Sequence, residues 1–244
     1  MERHYVKAVR MTPYEGQSYL AALPVVQWLN RAGELSLDQD VTFFVGENGT
    51  GKSTLLEAIA VACGFNAEGG SKNYAFSTKQ TVSELHRSLT VAKTAYEEDG
   101  FFLRAESFYN AASYLEELDA IPAAAPPLLD GYGGRSLHEQ SHGESFLALV
   151  QNRFRGHGLY LLDEPEAALS PARQLTLLYE MRWLTERDSQ LIVATHSPLL
   201  LAFPGAVIYE FSERGVERVS YEACAHVQLT RRFLADPLKF LDGM

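Results

Sequence analysis

Short apolar runs alternate with stretches of helical spacing along most of this chain. Val41-Thr-Phe-Phe-Val45 runs into a glycine-rich turn and reads as a buried strand. Ser53 to Cys63 follows without Gly or Pro, and Leu55, Leu56, Ile59 and Ala60 recur there at helical spacing. Residues 64–100 are more polar, with only a weak helical pattern from Ser83 to Leu89, and read as an inserted, partly helical excursion. Phe101 to Ala105 predicts a strand and Ser107 to Leu118 a helix. The Pro- and Gly-rich stretch 120–134 predicts a linker. A helix is expected from about Ser141 to Arg153, then a buried strand at Leu159-Tyr-Leu-Leu162. Ser170-Pro171 is an N-cap followed by proline at the first helical position, and Leu175, Leu178 and Met181 mark that helix's apolar stripe. Leu191 to Thr195 predicts another buried strand. Ala206–Phe211 and Val216–Tyr221 suggest an antiparallel pair, and 226–243 a closing helix.

This alternation predicts an α/β fold with a mostly parallel central sheet flanked by helices. A small helical subdomain (within 64–140) and an antiparallel β element would complete one domain over residues 1–244. With 46% apolar and 21% charged residues, the chain can bury a sizeable core, which excludes global disorder. Cys63 and Cys224 are too few for a disulfide scaffold and read as buried thiols. No apolar leader stands at Met1–Tyr5. The longest apolar stretch, Leu199 to Tyr209, is broken by Pro204 and Gly205 and is shorter than the ~20 residues of a membrane span. A cytoplasmic protein without an integral membrane segment is the expectation. The net charge of −10 argues against broad nucleic-acid binding. Arg231-Arg232 and Arg153/Arg155 are candidate local basic patches, or plain solvated surface.

The most specific chemistry lies in Gly46-Glu47-Asn48-Gly49-Thr50-Gly51-Lys52-Ser53, which satisfies G-x-x-x-x-G-K-[ST] between a strand and a helix. Glycines let the backbone wrap phosphate oxygens, and the helix start offers free N–H groups and a positive dipole end. Lys52 would reach the β- and γ-phosphates, and the Ser53 hydroxyl would ligate Mg²⁺. Thr54 belongs to the same helix start. Leu159 to Glu164 is an apolar strand ending in two acids. Asp163 would hold Mg²⁺, and Glu164 would orient and polarise the attacking water. Surface acids at a strand end are common, so Lys52 on the same chain is what gives this pair weight.

Three further segments carry a family resemblance. Ser141-His-Gly143-Glu144-Ser145 stands 22 residues before Asp163. Asp163-Glu-Pro-Glu166 leads into Leu169-Ser-Pro171, and Ala194-Thr-His196-Ser197 follows an apolar strand. Singly these are weak, since Ser-x-Gly-Glu is ordinarily an N-cap and a strand-end histidine ordinarily structural. Together and in this order, over roughly residues 40–200, they resemble the ABC-type ATPases, whose signature (S-x-G-[EQ]), Walker B, D-loop and switch-histidine motifs they match. The chain looks like a small soluble member of the SMC/RecF-like branch, of the kind described as AAA-type ATPases, without a coiled coil.

The resemblance implies an ABC-type P-loop NTPase fold, with ATP and Mg²⁺ as ligands and an ATP-dependent head-to-tail homodimer. Ser141, Gly143 and Glu144 of one copy would meet the nucleotide held by residues 46–54 of the other, and Glu164 and His196 would be catalytic. Where transporter subunits carry a metal-binding Gln, this chain has Glu106, which is either a replacement ligand or an ordinary helix-start acid. Tyr14, Tyr19 or Trp28 could stack on adenine or simply pack in the core. Arg135, just before the signature, could meet phosphate across the dimer. The function implied is ATP hydrolysis driving a conformational switch in nucleic-acid maintenance or defence, through a downstream partner the sequence does not identify. The alternative is the ATP-binding subunit of an ABC transporter.

Overall fold

The computed structural model describes residues 4–16, 18–72, 83–105 and 141–243. Glu106, Arg135, the expected helix 107–118 and the linker 120–134 lie outside the described residues.

The central sheet has six strands: β3 (Val41–Gly46), β5 (Asp99–Arg104), β6 (Gly158–Asp163), β7 (Gln190–Ala194), β8 (Val207–Ser212) and β9 (Gly215–Val219). Their order is β5-β6-β7-β3-β8-β9, parallel except for the β8-β9 hairpin. Strands β3, β6 and β7 are buried at every residue. Continuous apolar runs rather than alternation are what parallel strands covered on both faces require.

Two apolar cores lie on the two faces. On one, β3 contributes Phe43 and Val45 and β6 contributes Tyr160 and Leu162. They meet α3 (His142–Arg153) through Phe146, Leu149 and Val150, and α4 (Pro171–Thr185) through Leu177, Met181 and Leu184. On the other, Phe44, Leu159 and Leu161 meet Leu55, Leu56 and Ile59 of α2 (Lys52–Ala62). The period-two geometry of a strand sends neighbouring side chains to opposite faces, so α2 and α3 are separated by the sheet.

The second core is closed by an antiparallel sheet, β2-β1-β4, formed by β1 (Val6–Met11), β2 (Glu34–Ser36) and β4 (Leu89–Lys93), and by α1 (Pro24–Ala32). Buried Gln190 joins the two sheets. Its amide donates to the carbonyls of Val6 and Leu37 at 2.8 and 2.7 Å, and its oxygen accepts from Val6 N at 2.8 Å.

Three sequence expectations need correction. The weak helical pattern before Leu89 is a 3₁₀ turn, Glu84–Ser88, and the chain then returns as β4. Leu175 is 48% exposed, and the buried stripe of α4 runs through Gln174, Leu177, Met181 and Leu184. The closing helix is two, α6 (Ala225–Ala235) and α7 (Pro237–Asp242), broken where Asp236 precedes a proline. The short helix α5 (Pro198–Leu201) follows β7. Both cysteines are buried. Among the described residues, no helix is long and apolar enough to cross a membrane.

Candidate active site

Four parallel strand ends lie level along one edge of the central sheet. Register pairs Arg104 of β5 with Asp163 of β6, Asp163 with Ala194 of β7, and Ala194 with Phe44 of β3. At ~4.8 Å between neighbours the row spans about 14 Å. The segments leaving it carry the residues singled out from the sequence: the loop 46–51 after β3, Glu164 after β6, and His196 after β7. Open α/β sheets bind ligands at this edge.

The loop's glycines have positive φ, 142° at Gly46, 83° at Gly49 and 96° at Gly51. At Gly46 a Cβ would lie 2.1 Å from the carbonyl oxygen of Phe211 in the adjoining β8, so only glycine fits. At Gly49 the same test meets nothing within 4 Å, and this side of the loop is open. Glu47 and Asn48 are exposed, Ser53 and Thr54 are half-buried, and the Thr50 hydroxyl donates to the Glu47 carbonyl at 2.8 Å. Lys52 is buried, and its Nζ donates to the carbonyls of Gly46 (2.7 Å) and Glu47 (3.1 Å). Burial lowers the lysine's pKa against the opposing pull of Glu164, Asp163, Glu47 and Glu166. A buried ammonium held on loop carbonyls and facing acids suits a polyphosphate with its divalent ion.

Glu164 adopts the left-handed conformation (φ 51°), which is uncommon outside glycine. Its amide continues the sheet by donating to Ala194 O at 2.9 Å, while Oε1 lies 3.5 Å from His196 Nε2. The backbone N of His196 in turn donates to Glu166 Oε1 at 2.5 Å.

Three residues with no assigned role in the sequence analysis join this site. Arg104 places Nε 3.4 Å from Asp163 Oδ2 and a terminal nitrogen 2.6 Å from Glu57 Oε2, so it ties α2 to the acid at the end of β6. Arg173 donates to the Ser141 hydroxyl (3.2 Å) and to Glu144 Oε1 (2.9 Å). His226 places its ring 5.6 Å from that of His196, and burial together with His196 lowers its pKa. Arg104 stands near the end of the strand expected at Phe101–Ala105, two residues before Glu106, and that position is a signal the sequence carries. Nothing in the sequence links Arg173 or His226 to the motifs.

Ser141 caps α3, and Glu144 accepts from the Ser141 amide (3.0 Å) and hydroxyl (2.7 Å). These bonds and Arg173 pull the Glu144 carboxyl below its usual pKa. Gly143 faces the carbonyl of Ala168, where a Cβ would come to 2.8 Å. The signature-like segment thus sits on the turn that follows Glu164, across the sheet from α2.

Of the aromatic candidates, Tyr19 is 67% exposed, Tyr14 hydrogen-bonds Ser18, and Trp28 packs over Gly215. None lines the cavity of about 650 Å³ beside residues 46–50, whose walls include Pro24, Glu210, Arg214, Glu217 and His226. In the basic candidates, Arg153 pairs with Asp99 and Arg231 with Glu222, so neither offers a free cation to phosphate.

Residues 129–202 match the family model described as "AAA domain, putative AbiEii toxin, Type IV TA system", and residues 26–100 match one described as "AAA domain". Among solved structures, an ATP-binding cassette of an ABC transporter is 17% identical over 96% of this chain and 96% of its own, with a TM-score of 0.53. The cbiO1 component of an ABC transporter complex from Clostridium perfringens is 14% identical over 99% of this chain and all (100%) of its own, with a TM-score of 0.51. An inward-facing transporter described as of metal-chelate ABC type is 16% identical over 94% of this chain and 88% of its own, with a TM-score of 0.52. At these identities the likeness establishes the fold. No curated protein matches the sequence.

Proposed function

We propose, on the premise that this chain is a small ATPase of the ABC/AAA type, that two copies arranged head to tail bind and hydrolyse ATP in composite sites. The observation that carries the proposal is the placement of two helix starts on opposite faces of one sheet. Lys52 and Ser53 begin α2 in one core, and Ser141 and Gly143 begin α3 in the other. One chain cannot fold its signature helix over its own phosphate loop without opening a core. A second copy supplies that helix with both cores intact.

The loop 46–51 and the start of α2 hold the phosphates through backbone N–H groups and Lys52. Mg²⁺ held by Ser53 and Asp163 would neutralise charge on the β- and γ-oxygens. Arg104 fixes the Asp163 carboxylate for that task. Glu164, aimed by its left-handed backbone, orients and polarises the attacking water, and His196 beside it holds the position of the γ-phosphate. Ser141 and the N–H groups around Gly143 close over that phosphate from the second copy.

The process driven is inferred from the family description matched by residues 129–202, which names a toxin of a toxin–antitoxin system. It supports a role in defence or nucleic-acid maintenance, and with a net charge of −10 the action runs through a partner protein rather than broad DNA binding. The full-length fold likeness to transporter cassettes keeps a second reading, an ATP-binding subunit. Native co-purification separates the two by whether the partner is a soluble or an integral membrane protein.

The composite site is tested with Glu164→Gln, which keeps ATP and Mg²⁺ binding but lowers hydrolysis by about 10² or more. With the γ-phosphate retained, light scattering should show a dimer that Ser141→Arg abolishes. A monomeric Glu164→Gln protein with ATP bound, or an equally dimeric double mutant, would overturn the composite site.

A further inference from the structure

We propose that Glu210, Cys224 and His226 form a site for one divalent transition-metal ion of the zinc type, beside the phosphate loop and separate from the Mg²⁺ position. Glu210 lies on β8, Cys224 is the residue before α6, and His226 is in its first turn. Each offers a donor atom, and the three lie within 4.8 Å of one another.

The spacing suits such an ion. Zinc bonds of ~2.0–2.3 Å around a tetrahedral centre set neighbouring donors about 3.3–3.6 Å apart. Cys224 Sγ is already 3.7 Å from Glu210 Oε1. Drawing in the widest pair takes roughly 1 Å, within the reach of a side-chain torsion.

The donor set selects the class of ion. One sulfur, one imidazole and one carboxylate suit zinc and its transition-metal neighbours, whereas Mg²⁺ and Ca²⁺ take oxygen. Nδ1 of His226 is buried without a hydrogen-bond partner, a costly state that metal ligation of the ring would relieve by reorienting it. Glu210 Oε1 already accepts from the Ala225 amide at 2.9 Å, the outer-shell bond that commonly orients a metal ligand.

Glu210 and His226 also line the cavity beside residues 46–50. Three protein ligands leave a fourth position, which water or a phosphate oxygen can fill. On binding, the Cys224 thiol releases its proton to solvent. Thiolate, carboxylate and neutral imidazole around a dication sum to zero charge, one unit more positive than the metal-free site. The ion would fasten the start of α6 to β8, the direct neighbour of the phosphate-loop strand.

The test uses the full chain, stripped with a chelator, desalted, and titrated with Co²⁺ alone. One equivalent should bind with a thiolate-to-cobalt charge-transfer band, and Zn²⁺ should bleach it. Cys224→Ser should remove the band, and His226→Asn should weaken binding at least tenfold. Cys63→Ser and Asp163→Asn should leave the band in place, separating this site from the other thiol and from the Mg²⁺ position. Circular dichroism checks that each variant is folded, and His226→Asn decides if Cys224→Ser is not. A wild-type chain without the band, a band that survives Cys224→Ser, or affinity unchanged in His226→Asn overturns the proposal and leaves Glu210 as a helix cap.

Discussion

Replacing Gly143 by alanine should slow ATP turnover while leaving ATP binding intact. A Cβ there would lie 2.7 Å from a terminal nitrogen of Arg173 and 2.8 Å from the carbonyl oxygen of Ala168. The arginine can swing away. The carbonyl is backbone in the turn after Glu164 and yields only if that turn moves. A carbon–oxygen contact normally stays at ~3.3 Å or more, so the start of α3 must retreat by roughly 0.5 Å. Overpacking of this kind costs about 1–3 kcal/mol. Taking ~2 kcal/mol, and ~2–4 °C per kcal/mol for a domain of this size, Tm should fall by roughly 4–8 °C. The retreat also draws Ser141 and Glu144 from Arg173. A misplacement of ~1 Å can cost 10²-fold in rate, so half of that suggests about a tenfold loss of phosphate release. Lys52 and Ser53 lie across the sheet, so ATP affinity by calorimetry should stay within about twofold. An affinity that falls in step with turnover would refute the separation of the two helix starts. Unchanged turnover and Tm would refute the steric argument.

Arg104→Gln should destabilise the fold by about 3 kcal/mol, because it removes the cation that both Glu57 and Asp163 pair with in a mostly buried site. Denaturant unfolding should show Glu57→Gln recovering part of that loss in the double mutant, and strict additivity would exclude the coupling. ATP binding at alkaline pH should take up protons. Burial holds the free Lys52 below the ordinary lysine pKa, the incoming phosphates favour its charged form, and the pKa therefore rises. Calorimetry in buffers of different ionisation enthalpy reads the sign, and proton release would contradict it. Cys63, with a pKa pushed up to about 11 by burial, should resist thiol alkylation at neutral pH in folded Cys224→Ser protein. Rapid labelling without unfolding would count against its buried placement.

What the sequence made legible was what local chemistry fixes. Strands β3, β6 and β7 stand out because burial on both faces demands unbroken apolar runs. The phosphate loop stands out because its glycines, lysine and serine sit at fixed spacing between a strand and a helix. Strand β4 escaped because Leu89–Lys93 follows a polar stretch and buries only Leu89 fully, its other residues lying at or near the surface of a three-stranded sheet. The buried stripe of α4 departs from the apolar spacing because Gln174 is buried by hydrogen bonds rather than by apolarity. Arg104, Arg173 and His226 owe their positions to strand register and helix packing, and no periodicity announces a contact between residues 104 and 163 or 141 and 173.

Those long-range contacts converge on the segment from Glu164 to Gln174. Glu164 faces His196, and Glu166 accepts from the His196 amide. Gln174 accepts from the Ser197 hydroxyl at 2.5 Å and donates to the Leu169 carbonyl at 3.1 Å. One residue earlier, Arg173 holds Ser141 and Glu144. In the proposed dimer His196 and Glu164 serve the nucleotide on their own chain, while Ser141 serves the nucleotide on the other. The segment 164–174 is hydrogen-bonded to both groups. In that dimer, a shift of the His196 loop as the γ-phosphate leaves would reach the start of α3 through these hydrogen bonds. Gln174 and Arg173 are positioning residues in this scheme, and that is a physical reason for a buried glutamine and a paired arginine to stand side by side at the start of α4.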